Sequence, residues 1–270
     1  MNPTRPIVAI YCSTLFAAFF GLFSWLSPPV LAQNSNYFQI GSGVEHLASR
    51  DRGMSPLLYS GYGFFVGIGW ERATPTHSTL LLLDLGMGIQ RNKYQNPIDF
   101  RRGNLQWSTF YHRKSEGKNA LQWGWHINNV FSHRFNASFV NFNDHYEYFT
   151  NVGPALRYTY PFRLNGRDVY LSGSAHIQLL GMMIRPSYTS SYPEGFLNRE
   201  SSVTKSLVHS VRFSHPGNAI NFGIKPRLVY PLKSGNNLSL GYNYEFYRLR
   251  SSNTVTQSGG TWFVSLAARL

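Results

Sequence analysis

The chain has 270 residues, of which 16% are aromatic and only 14% are charged, and its formal net charge is +13. A typical soluble domain has about 25% charged residues, so the composition disfavours an ordinary soluble domain. The mean hydropathy of −0.25 is too low for a bundle of apolar membrane helices. These values favour a structure in which apolar and polar residues alternate.

The first 32 residues differ from the rest of the chain. Arg5 is the only charged residue before a long apolar run, which ends at Ala32 and is followed by polar residues. This pattern is typical of a secretory signal peptide, and we expect cleavage after Ala32. A retained transmembrane anchor is the alternative, because the apolar run is long for a signal peptide. The chain therefore divides into a signal peptide at 1–32 and one domain at 33–270.

The sequence gives no indication of a metal or cofactor site. Cys12 is the only cysteine, and it lies inside the predicted signal peptide. A mature chain without cysteine forms no disulfide and offers no thiolate ligand. The histidines are scattered singly, without the spacing of a metal site. We therefore predict no metal and no cofactor.

Beyond the first 32 residues, hydropathy has a period of two. Between Gly61 and Trp70, for example, large apolar residues such as Phe64 and Ile68 alternate with glycines. Successive side chains of a strand point to opposite faces, so each such segment has one apolar face and one small or polar face. Most segments have about 10–15 residues, enough to cross a bilayer. The ten segments are 37–46, 57–71, 78–90, 104–114, 120–133, 145–160, 168–180, 218–231, 237–250 and 260–270.

These segments predict an all-β fold, a closed antiparallel transmembrane β-barrel of about ten strands, with 8–12 possible. A soluble β-sandwich is the alternative, since its strands also alternate. It is disfavoured because nearly every segment carries an apolar face. Short, turn-like connections alternate with longer ones, the difference expected between periplasmic turns and outer loops. The longer connections are 47–56, 91–103, 134–144, 181–217 and 251–259.

The segment 181–217 is the longest connection. Long loops in compact proteins are usually functional or disordered. Tyr188, Tyr192 and Arg199 are its candidate recognition residues. The segment could instead fold into the barrel as a plug, or contain two further strands, giving twelve. Counting seven crossings from a periplasmic start, we expect it on the outer side.

The whole mature chain resembles the outer-membrane β-barrel class of Gram-negative bacteria. Its closing strand, Trp262 to Leu270, is similar to the C-terminal strand that barrel-assembly machinery reads, although many such strands end in Phe. The resemblance implies a cell outer-membrane location, assembly by that machinery, and contact with outer-membrane lipid and lipopolysaccharide. It is a resemblance to an architecture, and the class includes pores, enzymes and adhesins.

Polar residues on the inward face are the candidate site. Ten strands enclose a narrow interior that side chains can fill, so we predict a hydrogen-bonded lumen network. Inward glycines and alanines of the first and last strands are expected to leave room between the larger residues. Glu245 lies near Lys225 across a hairpin, which suits an ion pair. The predicted network comprises Glu147, Arg157, His176, Lys225, Arg227 and Glu245.

An enzyme is the weaker interpretation of the same face. Ser174 and His176 both point inward, and His126 could lie at a similar height. A serine nucleophile needs a base within hydrogen-bond reach, itself oriented by a third group. The motifs of the omptin proteases, barrel phospholipases and lipid A deacylases are absent. We therefore predict no catalytic residue.

Basic residues gather in loops and rims, where anionic lipopolysaccharide would attract them. A nucleic-acid function is disfavoured, because it needs a folded basic face outside a membrane. The prediction is a barrel with a structural, accessory or narrowly selective transport role. A lipid- or peptide-hydrolysing barrel enzyme and a loop-based adhesin are the alternatives. The basic residues expected in loops and at rims are Arg50, Arg52, Arg91, Lys93, Arg101, Arg102, Arg134, Arg185, Arg199, Lys205, Arg248 and Arg250.

Overall fold

The computed structural model describes residues 35–112, 120–137, 144–164, 166–185, 211–251 and 253–270, which belong to one compact unit. The predicted signal peptide lies outside these ranges. Within them, no helix is long and apolar enough to cross a membrane. The strands are β1 (Ser35–Asp51), β2 (Tyr59–Ala73), β3 (His77–Arg91), β4 (Pro97–His112), β5 (Ala120–Phe135), β6 (Asp144–Leu164), β7 (Arg167–Gln178), β8 (Leu180–Ile184), β9 (Val211–Ser214), β10 (Ala219–Pro231), β11 (Asn237–Arg250) and β12 (Thr254–Arg269).

The strands form one closed antiparallel barrel. β1 pairs with β2 on one side and with the last strand, β12, on the other, where Tyr37 lies opposite Arg269. The wall continues from β2 in sequence order to β7, and then through β10 and β11 to β12. Because the first and last strands pair directly, the sandwich alternative is wrong. The predicted closed antiparallel barrel is confirmed.

The short strands β8 and β9 lengthen two existing crossings of the barrel wall and do not add further crossings. β8 follows β7 after Leu179, whose amide donates to the Val152 carbonyl of β6 (3.0 Å), and β9 pairs with β8. A turn at 215–218 separates β9 from β10. The segments β7–β8 and β9–β10 are therefore two crossings with local irregularities. The barrel has ten crossings rather than twelve, and both ends of the predicted loop 181–217 belong to the wall.

The two faces of the wall separate as the alternation predicts. Phe64 and Trp262 are 56% and 61% exposed on the outside, whereas Glu45 and Asn104 are fully buried on the inside. Outward aromatic rings pack on one another between strands, as Tyr111 does on Trp123 with ring centroids 5.1 Å apart. The outside is thus an apolar and aromatic surface, and the inside is largely polar.

Six strands, β1, β3, β4, β5, β6 and β12, are longer than the alternation of hydropathy indicated. β4 begins at Pro97 and β12 at Thr254, so most of the predicted long loops shrink to a few residues. Arg102, Arg134 and Arg185 were expected in loops or at rims, and this was wrong, because all three side chains are buried in the lumen. The physical reason is that each arginine forms an ion pair with a buried carboxylate, that of Glu45 or Asp51, inside the barrel.

Gly41 of β1 lines a small cavity, as expected of an inward glycine in the first strand, but three inward glycines of other strands do not leave open room. A Cβ on Gly241 would stand 2.3 Å from the ring of Phe263, and one on Gly63 would stand 2.6 Å from Phe100. A Cβ on Gly86 would meet the carboxylate of Glu45 at 2.3 Å. These three glycines provide space that large side chains from other strands already fill.

Candidate functional site in the lumen

Two ends of the barrel serve as reference points for the lumen. The terminus end is where β1 begins and β12 ends, and the loop end is where β1 ends and β12 begins. Between them, polar side chains gather in three groups, here called the loop-end cluster, the central cluster and the terminus-end recess. Their backbone positions alternate with outward apolar residues, so strand geometry alone directs them inward.

The loop-end cluster joins two carboxylates and two guanidinium groups. Arg134 pairs with Asp51 (Nη1–Oδ2, 3.1 Å) and with Glu147 (Nη2–Oε1, 2.5 Å). Arg185, just beyond β8, also pairs with Asp51. The hydroxyl of Tyr247 donates to Glu147 and accepts a bond from Arg134 (3.0 Å). Two positive and two negative groups thus compensate one another across β1, β5 and β6.

An apolar cluster adjoins these charges inside the barrel. It draws on β5, β6, β8, β10, β11 and β12, and its members are nearly inaccessible to solvent. The apolar cluster comprises Val130, Phe149, Met183, Ala219, Tyr247, Leu249 and Val255. The packed side chains close this part of the lumen, and Tyr247 joins them to the loop-end charges through its hydroxyl.

The central cluster surrounds one arginine. Arg102 of β4 pairs with Glu45 of β1 and with Glu245 of β11 (Nη1–Oε2, 2.9 Å), strands that lie on different sides of the barrel. Asn104 and Gln106 donate to Glu245 at 3.2 Å each. All of these side chains are buried. The cluster therefore bridges the lumen from wall to wall.

A stacked histidine pair lies beside the central cluster. The rings of His126 and His176 are 3.9 Å apart and nearly parallel. Ser108, and not the predicted Ser174, is hydrogen-bonded to His126 (Oγ–Nδ1, 2.8 Å). Both Ser108 and His126 are buried, and the other ring nitrogen of His126 has no partner within the described part of the chain. The serine–histidine contact thus lacks the orienting third group that nucleophilic catalysis uses.

The terminus-end recess is a small cavity of about 40 Å³, partly open to solvent. Arg157 pairs with Glu71 (Nη1–Oε1, 2.9 Å), and Arg227 approaches the same carboxylate (Nη2–Oε2, 3.7 Å). Lys225 lies over the ring of Phe263, with its ammonium 5.2 Å from the ring centroid. The recess is lined by Gln39, Gly41, Phe65, Gly67, Leu80, Leu82, Asp84, Arg157, Ser172, Ser174, Lys225, Arg227, Phe263 and Ser265.

The six residues of the predicted network are divided among these groups. Glu147 belongs to the loop-end cluster and Glu245 to the central cluster, while Arg157, Lys225 and Arg227 line the recess. His176 is in the stacked pair. The ion pair expected between Lys225 and Glu245 does not form, because Glu245 is paired with Arg102 instead.

The sequence interpretation missed Arg102 and Arg134 as lumen residues. A signal was available: Arg102 is four residues before the inward Gln106, and Arg134 is eight residues after the inward His126, so both share the inward parity. The candidate loop residues Tyr188, Tyr192 and Arg199 lie outside the described residues. Within the described part of the chain, no cluster of three or more His, Cys, Asp or Glu side chains could hold a metal.

Comparison with known proteins gives only distant structural similarity. No protein-family model and no curated protein matches the chain. The chain is similar to Neisserial surface protein A, at 12% identity and a TM-score of 0.39, covering 86% of this chain and 97% of that one. It is also similar to the translocator domain of the autotransporter NalP from Neisseria meningitidis, at 7% identity and a TM-score of 0.38, covering 98% of both chains. The transport unit of the autotransporter AIDA-I from Escherichia coli matches at 10% identity and a TM-score of 0.37, covering 93% of this chain and 95% of that one. Similarity at this level assigns no function to the chain.

Proposed function

We propose that this chain is a bacterial outer-membrane barrel with a closed lumen, acting as a structural or accessory protein of the membrane rather than as an open pore. The observation that carries the proposal is the central cluster, in which Arg102 joins Glu45 and Glu245 from opposite parts of the wall. A barrel of ten crossings is narrow, so one such bridge and its amide neighbours occupy much of its cross-section.

The outer surface supports the membrane part of the proposal. Exposed apolar side chains occur on every long strand, from Ile40 in β1 to Leu266 in β12. A soluble protein rarely exposes continuous apolar surface of this extent. A closed wall of antiparallel strands also satisfies its own backbone hydrogen bonds, which hydrocarbon requires.

The closed lumen predicts that the protein does not conduct. Phe149 and Met183 of the apolar cluster add a second obstruction beside the loop-end charges, so ions would have to displace both packed apolar groups and buried ion pairs. Purified barrel should be reconstituted into liposomes, and the leak of ions and small sugars measured against protein-free liposomes. Flotation of the liposomes and far-ultraviolet circular dichroism confirm insertion and strand content.

We expect no leak above the protein-free background at any protein-to-lipid ratio. A leak that increases in proportion to inserted protein would contradict the closed lumen, and would support narrowly selective transport instead.

A further inference from the structure

Arginine and threonine side chains form a regular pattern on the outer face of the wall, near the loop end. Thr256 of β12 has Arg50 of β1 as its partner on one side and Arg248 of β11 on the other. Thr256 shares its parity along β12 with the exposed Val264, so this row points outward. Adjacent strands lie about 4.8 Å apart, so the backbones of the two arginines are separated by about 10 Å. Both side chains can therefore reach one group placed over Thr256.

The next row toward the loop end repeats the pattern. The backbone amide of Arg52 donates to the carbonyl of Thr254 (3.1 Å), and Arg250 of β11 is the partner of Thr254 on the other side. The side chains of Arg52 and Arg250 are exposed. Two successive rows thus place an arginine on each side of a threonine. The four arginines are here called the outer arginine cluster: Arg50, Arg52, Arg248 and Arg250.

The outer arginine cluster has no counter-charge on its own strands. Across β1, β11 and β12, which the structure describes in full, the carboxylates are Glu45, Asp51 and Glu245, and all three are buried in the lumen. Asp51, the nearest along the chain, is paired with two lumen arginines. The flanking strands β2 and β10 add only Glu71, in the terminus-end recess. Within the described part of the chain, none of the four guanidinium groups forms an ion pair or a hydrogen bond.

The first row lies at the height of lipid headgroups. Val44, near the middle of the outward face of β1, is six residues before Arg50. Six residues span about 20 Å along a strand, and about 15 Å along the bilayer normal at the usual tilt of about 40°. The hydrocarbon core is about 30 Å thick, so its edge is about 15 Å from the midplane. With Val44 at the midplane, Arg50 therefore reaches the edge of the hydrocarbon, where lipid phosphates lie.

The donors of the cluster suit a phosphate that carries more than one charge. Each guanidinium group has five N–H donors in a planar fork that binds phosphate oxygens in pairs. A phosphomonoester has a charge of about −1.5 to −2 at neutral pH and three strong acceptor oxygens. The phosphodiester of phosphatidylglycerol has a single charge. Two arginines that converge over one threonine hydroxyl therefore fit a phosphomonoester better than a phosphodiester.

We propose that the outer arginine cluster binds a phosphomonoester of lipopolysaccharide, with Arg50 and Arg248 as its main charge partners and Thr256 as a hydroxyl donor. This inference rests on the proposed outer-membrane function, with the loop end in the outer leaflet as expected from the sequence. Arg52 and Arg250 bind the same headgroup further from the hydrocarbon. The bound lipid compensates charges that the barrel itself leaves unpaired.

The test is native mass spectrometry of the full barrel released from neutral detergent micelles, which counts the lipid molecules bound to each chain. The probes are rough lipopolysaccharide, the same lipid after enzymatic removal of its phosphates, and phosphatidylglycerol. The wild type should retain one lipopolysaccharide molecule, and the other two lipids should bind at least about tenfold more weakly. Arg50→Gln/Arg248→Gln should weaken lipopolysaccharide binding at least about tenfold, because charge-assisted hydrogen bonds are lost.

Arg91→Gln/Arg101→Gln is the matched control, because it removes the same number of exposed arginines from the loop end, on β3 and β4. Neither arginine lies beside a threonine that a second arginine flanks. This control should bind lipopolysaccharide like the wild type. Circular dichroism confirms that every variant keeps its strand content, and Arg52→Gln/Arg250→Gln gives a second, independent loss of binding.

Three results would overturn the proposal: equal binding of lipopolysaccharide by the wild type and Arg50→Gln/Arg248→Gln, equal losses in this variant and the control, or equal binding of phosphatidylglycerol and lipopolysaccharide by the wild type. The liposome leak assay keeps this test separate from the proposed function. A leaking barrel that binds lipopolysaccharide through the cluster would contradict the closed lumen alone, and a tight barrel that does not bind it would contradict this site alone.

Discussion

Buried charges are the residues on which this lumen most depends. Taking a charged group out of water costs several kcal/mol, and the cost is offset only where partners and hydrogen bonds have good geometry. Arg102 satisfies this condition with Glu45 and Glu245, and amide groups such as Asn104 bond the second carboxylate. Removing Arg102 would leave the buried carboxylates of Glu45 and Glu245 without this counter-charge, and their negative charges would repel each other.

Arg102→Met should therefore lower the free energy of unfolding by about 3–5 kcal/mol, as expected when one partner of a buried ion pair is lost. The matched control is Arg163→Met. Arg163 also pairs with a carboxylate, that of Asp168, but its side chain is 81% exposed, so its loss should cost about 1 kcal/mol or less. Urea unfolding in lipid, followed by tryptophan fluorescence, gives both values. Equal losses for the two variants would show that the central cluster is not buried as described.

For the lumen residues, the sequence predicts which face each side chain lies on but not which side chains contact one another. Alternation assigns a face to Glu147 or Lys225, since each position along a strand points inward or outward. It does not give distances between strands far apart in the sequence. Arg102 and Glu245 are 143 residues apart, and their contact follows from the stagger and closure of the barrel. Arg185 was assigned to a loop, because its neighbours showed no alternation.

Strands were predicted better than their ends. The apolar faces identified all ten crossings, because lipid-facing residues must be apolar along the whole span. The ends were missed where charged residues continue a strand into the lumen, as Asp51 does in β1. β8 and β9 correspond to the two further strands that were only an alternative for 181–217, since each is too short to show a period, but they do not raise the number of crossings to twelve.

The assignment of faces predicts the effect of a charge on the outer surface of β1. Val44 is 55% exposed, near the middle of the strand, between Phe64 and Trp262 of its neighbours. Val44→Arg should destabilise the barrel by about 2–4 kcal/mol, the cost of arginine near the bilayer midplane. Ser234→Arg, in the exposed turn after β10, is the control and should be close to neutral. The fraction of folded barrel after refolding into liposomes measures both, and an unimpaired Val44→Arg would contradict a lipid-facing β1 surface.

The whole molecule combines an apolar exterior with an interior filled by polar side chains. Pairing of β1 with β12 closes the wall, so no strand edge is left among these ten crossings. Large apolar side chains are exposed on the exterior, whereas interior charges such as Arg134 and Glu147 are compensated. This inversion of the usual arrangement of a soluble protein is the physical basis for placing the barrel in a membrane.

Neighbouring residues on β12 provide the most direct test of this account. Val264 is 52% exposed on the outside, and Ser265 lines the terminus-end recess. Each is replaced by cysteine in a Cys12→Ser background, labelled with a nitroxide, and reconstituted into liposomes. Relaxation by oxygen, which concentrates in lipid, is then compared with relaxation by a water-soluble nickel complex. We predict that the label at 264 responds mainly to oxygen and the label at 265 mainly to the nickel complex. The same ratio at both positions, or a nickel-dominated response at 264, would contradict a lipid-facing exterior around a separate lumen.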